Sequence, residues 1–322
     1  ALLLMLSPDL VKMRLFTLPI YRGTRRQPWQ IRTGLSLYSL LSNFRRQARF
    51  STVPRKDWDR LDGLRTDELR AVFRYSDAQT NDRLLTKAVM RSAQSLGAEL
   101  RMPASLQEAR IVSGGCEIDY HCDGAEHTTS ARVLVNASGP WVNNVAKRIS
   151  PAVDLQQIET VQGAHILLEL GSHEGYYYTE SPRDGRAVFV LPWEGKLMVG
   201  TTETKYRGEP ADVRPLNAEK SYLLSVLRHY FPHHADTSAD DIVDAFAGLR
   251  VLPGGQGHAF HRSREVIFRT DRRIRPRVLS IYGGKLTAYR ATAEKVLKRI
   301  AGSLPLRNPV DSTRRLPLTP DA

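Results

Sequence analysis

The sequence predicts an α/β fold combined with an α+β domain: the second half of a dinucleotide-type sheet domain, interrupted by a mostly antiparallel domain. Three observations predict it. Two strand–glycine–helix turns, Asn136–Trp141 and Tyr282–Thr287, stand far apart in the chain. Between them the strand-like runs HILLEL, YYYTES, AVFVLPW, KLMVGTTET and REVIFRT alternate with turns around one clear helix, NAEKSYLLSVLRHYF. Hydrophobic residues make up 41% of the 322 residues and charged ones 25%, a globular balance that excludes a disordered or collagen-like chain.

In chain order, ALLLMLSPDLV reads as the end of a helix broken at Ser7-Pro8. Residues 13–53 are basic, with Arg14, Arg22, Arg25, Arg26, Arg32, Arg45, Arg46 and Arg49 interrupted by Pro19 and Pro28. Within them GLSLYSLLSNF reads as a short amphipathic helix, packed on its leucines or laid on an anionic surface. Residues 1–74 are therefore expected to be a basic helical and loop segment. NDRLLTKAVMRSAQSL predicts a helix with Leu84, Leu85, Ala88, Val89 and Leu96 inward, ended by Gly97. Strands are expected at Ala98–Arg101, Gly115–Cys122 and His127–Val135. RVLVNASGPWVNNVAKRI then passes from a buried strand into a helix opened by Pro140. After the antiparallel stretch, RVLSIYGGKLTAYRATAEKVLKRIAGSL is a strand, a Gly-Gly turn and a helix with Leu286, Ala293 and Val296 inward. The expected boundaries are 1–74, 75–150, 151–275, 276–303 and 304–322, the last a linker with four prolines among its final twenty residues. Both ends look cut from something longer.

Charge and cysteines narrow the function classes. Lys and Arg number 47 against 34 Asp and Glu, a formal net charge of +13, which suits nucleic acid, a membrane surface or an anionic substrate. The longest apolar stretch, Ala1–Leu6, is far short of the ~18 residues a membrane span needs. Cys116 and Cys122 fall on one face of one strand, roughly 20 Å apart if extended, so they form no disulfide and fit a reduced cytosolic compartment.

The residues able to carry chemistry sit at the two turns and around the inserted sheet. A glycine there lets a ligand approach the backbone, and the following helix start presents free N–H groups. Neither turn is GxGxxG, and no P-loop occurs. Lys285, inside Gly283-Gly284-Lys285-Leu286-Thr287, can reach an anion or developing negative charge. Arg250 in FAGLRVLP and Arg262 in AFHRSREV have forked donors suited to a phosphate or carboxylate, though arginines flanking strands are more often ion-paired. His165 opens an apolar strand in VQGAHILLEL, a place where a lone histidine is more often a core residue. The pairs His233/His234 and His258/His261 lack a Cys or carboxylate pattern, so no metal site is expected.

Five stretches together carry a resemblance: VLVNASGPWVNNV, VQGAHILL, FVLPWEGKLMVGTTET, FAGLRVLP and LSIYGGKLTAYRATAEKVL, with FRYSDAQTNDRLL before them. Their order and spacing, up to about residue 303, resemble the FAD-dependent glycerol-3-phosphate dehydrogenase family within the D-amino-acid-oxidase-like flavoenzymes. The resemblance implies that Ala137, Ser138, Gly139 and Trp141 contact FAD. It implies that Gly283, Gly284, Lys285, Leu286 and Thr287 form the turn beside the flavin ring. It makes His165 a candidate general base, and Arg250, Arg262 and Lys285 the positive cluster around substrate and flavin. The implied reaction is oxidation of sn-glycerol 3-phosphate to dihydroxyacetone phosphate, with electrons passed to a quinone. The implied place is the inner face of the cytoplasmic membrane, with no nucleic acid partner and a homodimer left open.

The departures concern the ends. The family's first strand–GxGxxG–helix unit and its C-terminal helical domain would lie outside this sequence, so the chain resembles the middle of such an enzyme. The isolated chain is accordingly expected to hold FAD weakly or not at all. Two competing readings remain at this stage: a catalytically silent remnant without FAD, and an oxidase-like flavoenzyme acting on an amino or hydroxy acid.

Overall fold

The computed structural model describes residues 2–41, 49–254, 265–308 and 311–318. Its largest layer is a nine-stranded sheet. The strands are β1 (Val11–Tyr21), β2 (Phe50–Thr52), β3 (Leu69–Thr80), β9 (Ile158–Glu169), β10 (Tyr176–Glu180), β11 (Ala187–Trp193), β12 (Lys196–Gly200), β13 (Thr204–Tyr206) and β14 (Asp244–Pro253). The order runs β13-β9-β12-β11-β10-β1-β3-β2, with β14 along the other edge of β9. A second sheet has the order β6-β5-β4-β8, from β4 (Ala104–Val112), β5 (Gly115–Cys122), β6 (Ala125–Ala131) and β8 (Ile149–Ser150). The third is small: β15 (Ile267–Thr270), β16 (Val278–Tyr282) and β7 (Leu134–Asn136), in that order. This is the mixed α/β and α+β architecture the sequence predicts.

One face of the large sheet is closed by helix α5 (Asn217–Tyr230). Its apolar residues recur at helical spacing, so Leu223, Leu224, Val226, Leu227 and Tyr230 form one buried stripe over Ile166, Leu168, Val188, Val190, Leu197 and Val199. Antiparallel sheets commonly bury one face and leave the other open. Here the face away from α5, covered by helix α2 (Pro28–Leu41) over Ile20 and Phe73, carries the candidate site on β9 and β14.

Several local expectations are corrected. β1 is an eleven-residue strand inside the segment expected to be helix and loop, and β3 crosses residue 75, where a boundary was expected. In β1 the arginine-bearing end is the exposed one, while Phe16–Tyr21 is buried between β10 and β3. Residues 98–101 form no strand; the strand starts after Pro103 as β4. His127–Val135 divides into β6 and β7, which join different sheets. The stretch after Pro140 is only a 3-10 turn, Gly139–Trp141, and a five-residue helix α4 (Val142–Ala146).

In helix α3 (Asp82–Ser95) Leu85 and Ala88 are buried, but Leu96 lies past its end and is exposed. In helix α6 (Tyr289–Ile300) Val296 and Ile300 face inward, whereas Ala293 faces out and Leu286, in the 3-10 turn before the helix, is exposed. Helix α2, within the basic segment, packs Ile31 and Leu35 near Ile20 and Phe73, and leaves Trp29, Leu37, Tyr38, Leu40 and Leu41 exposed. Arg45 and Arg46 lie outside the described residues. Both cysteines are free and buried on β5. No helix among the described residues is long and apolar enough to cross a membrane.

Candidate active site

The antiparallel register of β9 and β14 sets Val161 opposite Arg250, Gly163 opposite Gly248, and His165 opposite Phe246. Side chains alternate along strands, so these three pairs share one face while Ile166 and Leu168 face α5. The middle pair has no side chains. Glycine backbone therefore separates His165 and Phe246 from Arg250, four strand positions or ~13 Å along the pair. A Cβ added at Gly248 would meet nothing within 4 Å. One at Gly163 would lie 2.6 Å from Thr201 Oγ1 and 3.7 Å from a terminal nitrogen of Arg250, so Thr201 sits on this glycine with the guanidinium beside it, and the open part of the floor is at Gly248.

His165 is held by shape. Its ring stacks on Phe246, and its other side lies over Gly200, the residue opposite it on β12, where a Cβ would run into the imidazole. Nδ1 is buried and has no hydrogen-bond partner among the described residues. Burial first, and then the nearby Arg250 cation, push the imidazole down to about 4, against a smaller opposite pull from Asp82. Near neutral pH the ring is uncharged and able to accept a proton.

A buried carboxylate braces this part of β9 from behind. Glu219, on the first turn of α5, accepts through Oε1 from the hydroxyls of Thr202 (2.7 Å) and Thr204 (2.8 Å). Through Oε2 it accepts from Gln162 Nε2 (2.6 Å) and the backbone N–H of Leu216 (3.0 Å). Thr202 Oγ1 in turn accepts from the N–H of Ala164 at 2.8 Å. The strand position beside His165 is thus tied to the helix that covers the opposite face.

The two glycine turns meet on the small sheet. β7 and β16 are parallel neighbours, with Asn136 opposite Ser280, so Asn136–Trp141 and Tyr282–Thr287 leave from the same strand ends. In open α/β sheets that is where ligands bind. Buried Asn136 latches the first turn: its amide donates to the Val142 carbonyl (2.8 Å) and its Oδ1 accepts from Ser138 Oγ (2.6 Å). Tyr282 donates its hydroxyl to Asn143 Oδ1 at 3.0 Å, joining the two turns. Gly283 and Gly284 have φ of 75° and 118°, a region other residues adopt only with strain. The Gly283 turn also abuts the end of β14, since a Cβ there would lie 3.7 Å from the Val251 carbonyl. Val251 follows Arg250, so the turns and the glycine floor adjoin.

The structure puts His165 and Arg250 on one face of the β9–β14 pair and places the second turn beside Val251, next to Arg250. Ala137, Gly139, Trp141, Lys285, Leu286 and Thr287 are exposed at the two turns, and Ser138 is half-buried there. Arg262, His258 and His261 lie outside the described residues. Sequence reasoning missed Gly163, Gly200, Phe246, Gly248 and Glu219. A signal existed for two of them: an isolated glycine inside a strand pattern marks a close backbone approach, and Gly163 and Gly248 each stand two positions before a candidate residue.

Comparison with known proteins gives consistent results. Residues 4–290 match the family model DAO, FAD dependent oxidoreductase. A glycerol-3-phosphate dehydrogenase of Pseudomonas aeruginosa is 32% identical over 305 residues, 92% of this chain and 58% of that protein. A D-erythritol 1-phosphate dehydrogenase of Brucella abortus is 28% identical over 308 residues, 94% of this chain and 60% of that protein. The crystal structure of the Bacillus halodurans glycerol-3-phosphate dehydrogenase complexed with FAD superimposes with a TM-score of 0.78 at 25% identity, covering 99% of this chain and 57% of that one. The chain spans about three fifths of the length of these relatives.

Proposed function

Because the chain belongs to the DAO family of FAD-dependent oxidoreductases, we propose that its protein oxidises the secondary alcohol of a polyol monophosphate, sn-glycerol 3-phosphate foremost, to the ketone. The observation that carries this reading is the glycine floor between an uncharged histidine and an arginine. A short polyol can lie on the floor with its phosphate toward Arg250, whose forked donors suit a dianion, and a hydroxyl toward His165. His165 takes the hydroxyl proton, its ring kept in one orientation by Phe246 and Gly200. Arg262 is the expected second phosphate ligand.

The residues present fit FAD. Both glycine turns open from one end of the small sheet, Gly139 leaves open space where a Cβ would stand, and the orphaned Nδ1 of His165 lies on the adjoining strand. Ala137, Ser138, Gly139 and Trp141 on one turn, and Gly283, Gly284, Lys285, Leu286 and Thr287 on the other, would hold it, with Arg250 beside them. Bound FAD would accept the hydride and hand the electrons to a quinone. Lys285 supplies a cation at the turn where negative charge gathers.

Anaerobic mixing of the purified full-length protein with sn-glycerol 3-phosphate tests this reading: flavin absorbance should bleach within the turnover time. D-erythritol 1-phosphate belongs in the same experiment, because one relative carries that name. The substrate with the higher kcat/KM decides between the two. A colourless protein, or bleaching only by an amino or hydroxy acid, would overturn the reading.

A peripheral membrane position forms part of the proposal. Helix α2 exposes Trp29, Leu37, Tyr38, Leu40 and Leu41 near Arg25, Arg26 and Arg32, an arrangement that suits the interface of an anionic bilayer. Binding to anionic vesicles should exceed binding to neutral ones. Equal binding would remove the electrostatic part of this assignment.

A further inference from the structure

We propose that His173, His233 and His234 form a binding site for a divalent transition metal of the zinc class, beyond the end of β9 remote from the glycine turns. His173 lies in the turn between β9 and β10, its N–H bonded to the Leu170 carbonyl at 3.2 Å. His233 and His234 end the 3-10 turn Pro232–His234 that follows α5. One ring nitrogen from each lies within 4.8 Å of the other two. Metal–imidazole bonds of ~2.0–2.1 Å in a tetrahedral site place nitrogens ~3.4 Å apart, so modest rotation of the side chains closes the set.

The second observation concerns His173 itself. Its side chain is 1% exposed, and neither ring nitrogen has a hydrogen-bond partner among the described residues. Two orphaned polar atoms in an aromatic wall, with Phe231 and Tyr177 edge-on to the ring, call for a partner. His173 is buried, His234 half-buried and His233 exposed, so the set reaches from the core to the surface.

The surroundings orient the ligands. Asp62 Oδ2 lies 4.0 Å from His173 Nε2 and is fixed by the N–H of Gly175 (2.7 Å) and the hydroxyl of Tyr177 (3.0 Å). A carboxylate beside a ligating imidazole commonly sets its orientation and raises its basicity. His234 Nδ1 pairs with Thr237 Oγ1 at 3.2 Å, which leaves Nε2 for the metal. Gly63 keeps room for His233, because a Cβ there would press on Nδ1 at 2.8 Å. Three imidazoles without a thiolate suit Zn²⁺, Co²⁺ or Ni²⁺ rather than Ca²⁺ or Mg²⁺. A bound ion would clip the β9–β10 turn to the end of α5.

The test uses the full-length protein after chelator treatment and dialysis, titrated with ZnCl₂ by calorimetry and with CoCl₂ by visible absorption. One Zn²⁺ should bind per chain, tetrahedral d–d bands should appear with Co²⁺, and the thermal midpoint should rise with Zn²⁺. His233→Ala and His234→Ala alter the solvent side and leave the buried ring in place. Each should weaken Zn²⁺ binding by more than ~10-fold, the lower end of what outer-shell losses alone cost. Absence of saturable binding to the parent protein would overturn the proposal. So would binding that the double variant His233→Ala/His234→Ala leaves unchanged.

Discussion

The imidazole of His165 lies flat on the ring of Phe246, centroids 4.9 Å apart and planes 13° from parallel. The two residues sit opposite each other on antiparallel strands, so the stack follows from register. With Gly200 at its other side, the ring occupies a slot built from two neighbouring strands.

Filling that slot is the sharpest test of it. Gly200→Ala places a methyl where the imidazole lies, and the ring must swing away. A displacement of about 1 Å at a proton-accepting group costs ~100-fold in rate. We expect kcat to fall by at least ~100-fold with circular dichroism unchanged. Normal turnover by this variant would show that His165 takes no part in the chemistry.

Gly248 offers the complementary test, because its Cβ position is empty. Gly248→Val suits a strand and its Cβ would meet no atom within 4 Å, so stability should change by less than about 1 kcal/mol. The valine would still stand in the middle of the floor. Substrate kcat/KM should drop by more than ~10-fold, chiefly through KM. A drop in the denaturation midpoint without a kinetic effect would mean that the floor is structural only.

Arg250 links substrate charge to proton affinity. Its cation is the second cause of the depressed His165 value, after burial. Arg250→Met removes that repulsion, so the imidazole should titrate higher, from about 4 toward the ordinary 6.5. An NMR titration of the His165 ring proton reads this directly. The sign for stability follows: between pH 6.5 and 4 the unfolded chain takes up a proton that the folded one refuses, so stability falls as pH drops through that window, and less so in the variant. The same substitution should erode the preference for a phosphorylated over a free polyol by ~2–4 kcal/mol. An unmoved titration would place the guanidinium away from His165.

Glu219→Gln exchanges an acceptor for a donor amid four donors. At least one buried donor then loses its partner, at a cost of about 1–3 kcal/mol. Urea denaturation should show that loss, and kcat should fall with it because the N–H of Ala164, beside His165, shares the network. A midpoint equal to the parent's would mean that the carboxylate is dispensable.

The glycine turns, the α5 stripe and the antiparallel character of the middle region were legible because each is a short-range pattern. His165 and Arg250 were legible as candidates only beside the motif resemblance, since a histidine and an arginine on apolar strands say little alone. What the sequence hid was long-range register. Phe246 meets His165 and Gly248 meets Gly163 only once β14 pairs with β9. The histidine cluster was hidden for the same reason, because His173 approaches His233 and His234 only after α5 packs on the sheet. β1 was masked by Lys12 and Arg14 at its less buried end and by the arginines from Arg22 onward that follow it, which lend a buried strand the look of a basic loop.

The pairing of β7 with β16 also bears on the order of assembly. Asn136 and Ser280 are partners across 144 residues of intervening chain, nearly half of the polypeptide. Closing so long a loop before its contents condense would be entropically costly, and contacts of high sequence separation form slowly. The inserted antiparallel sheet, tied internally by β10-β11-β12-β9 neighbours, is able to collapse first and carry the two strand ends toward each other. The turn pair is therefore a late-forming element during synthesis: until residues near 282 have left the ribosome, no nascent chain can present both glycine turns to a dinucleotide.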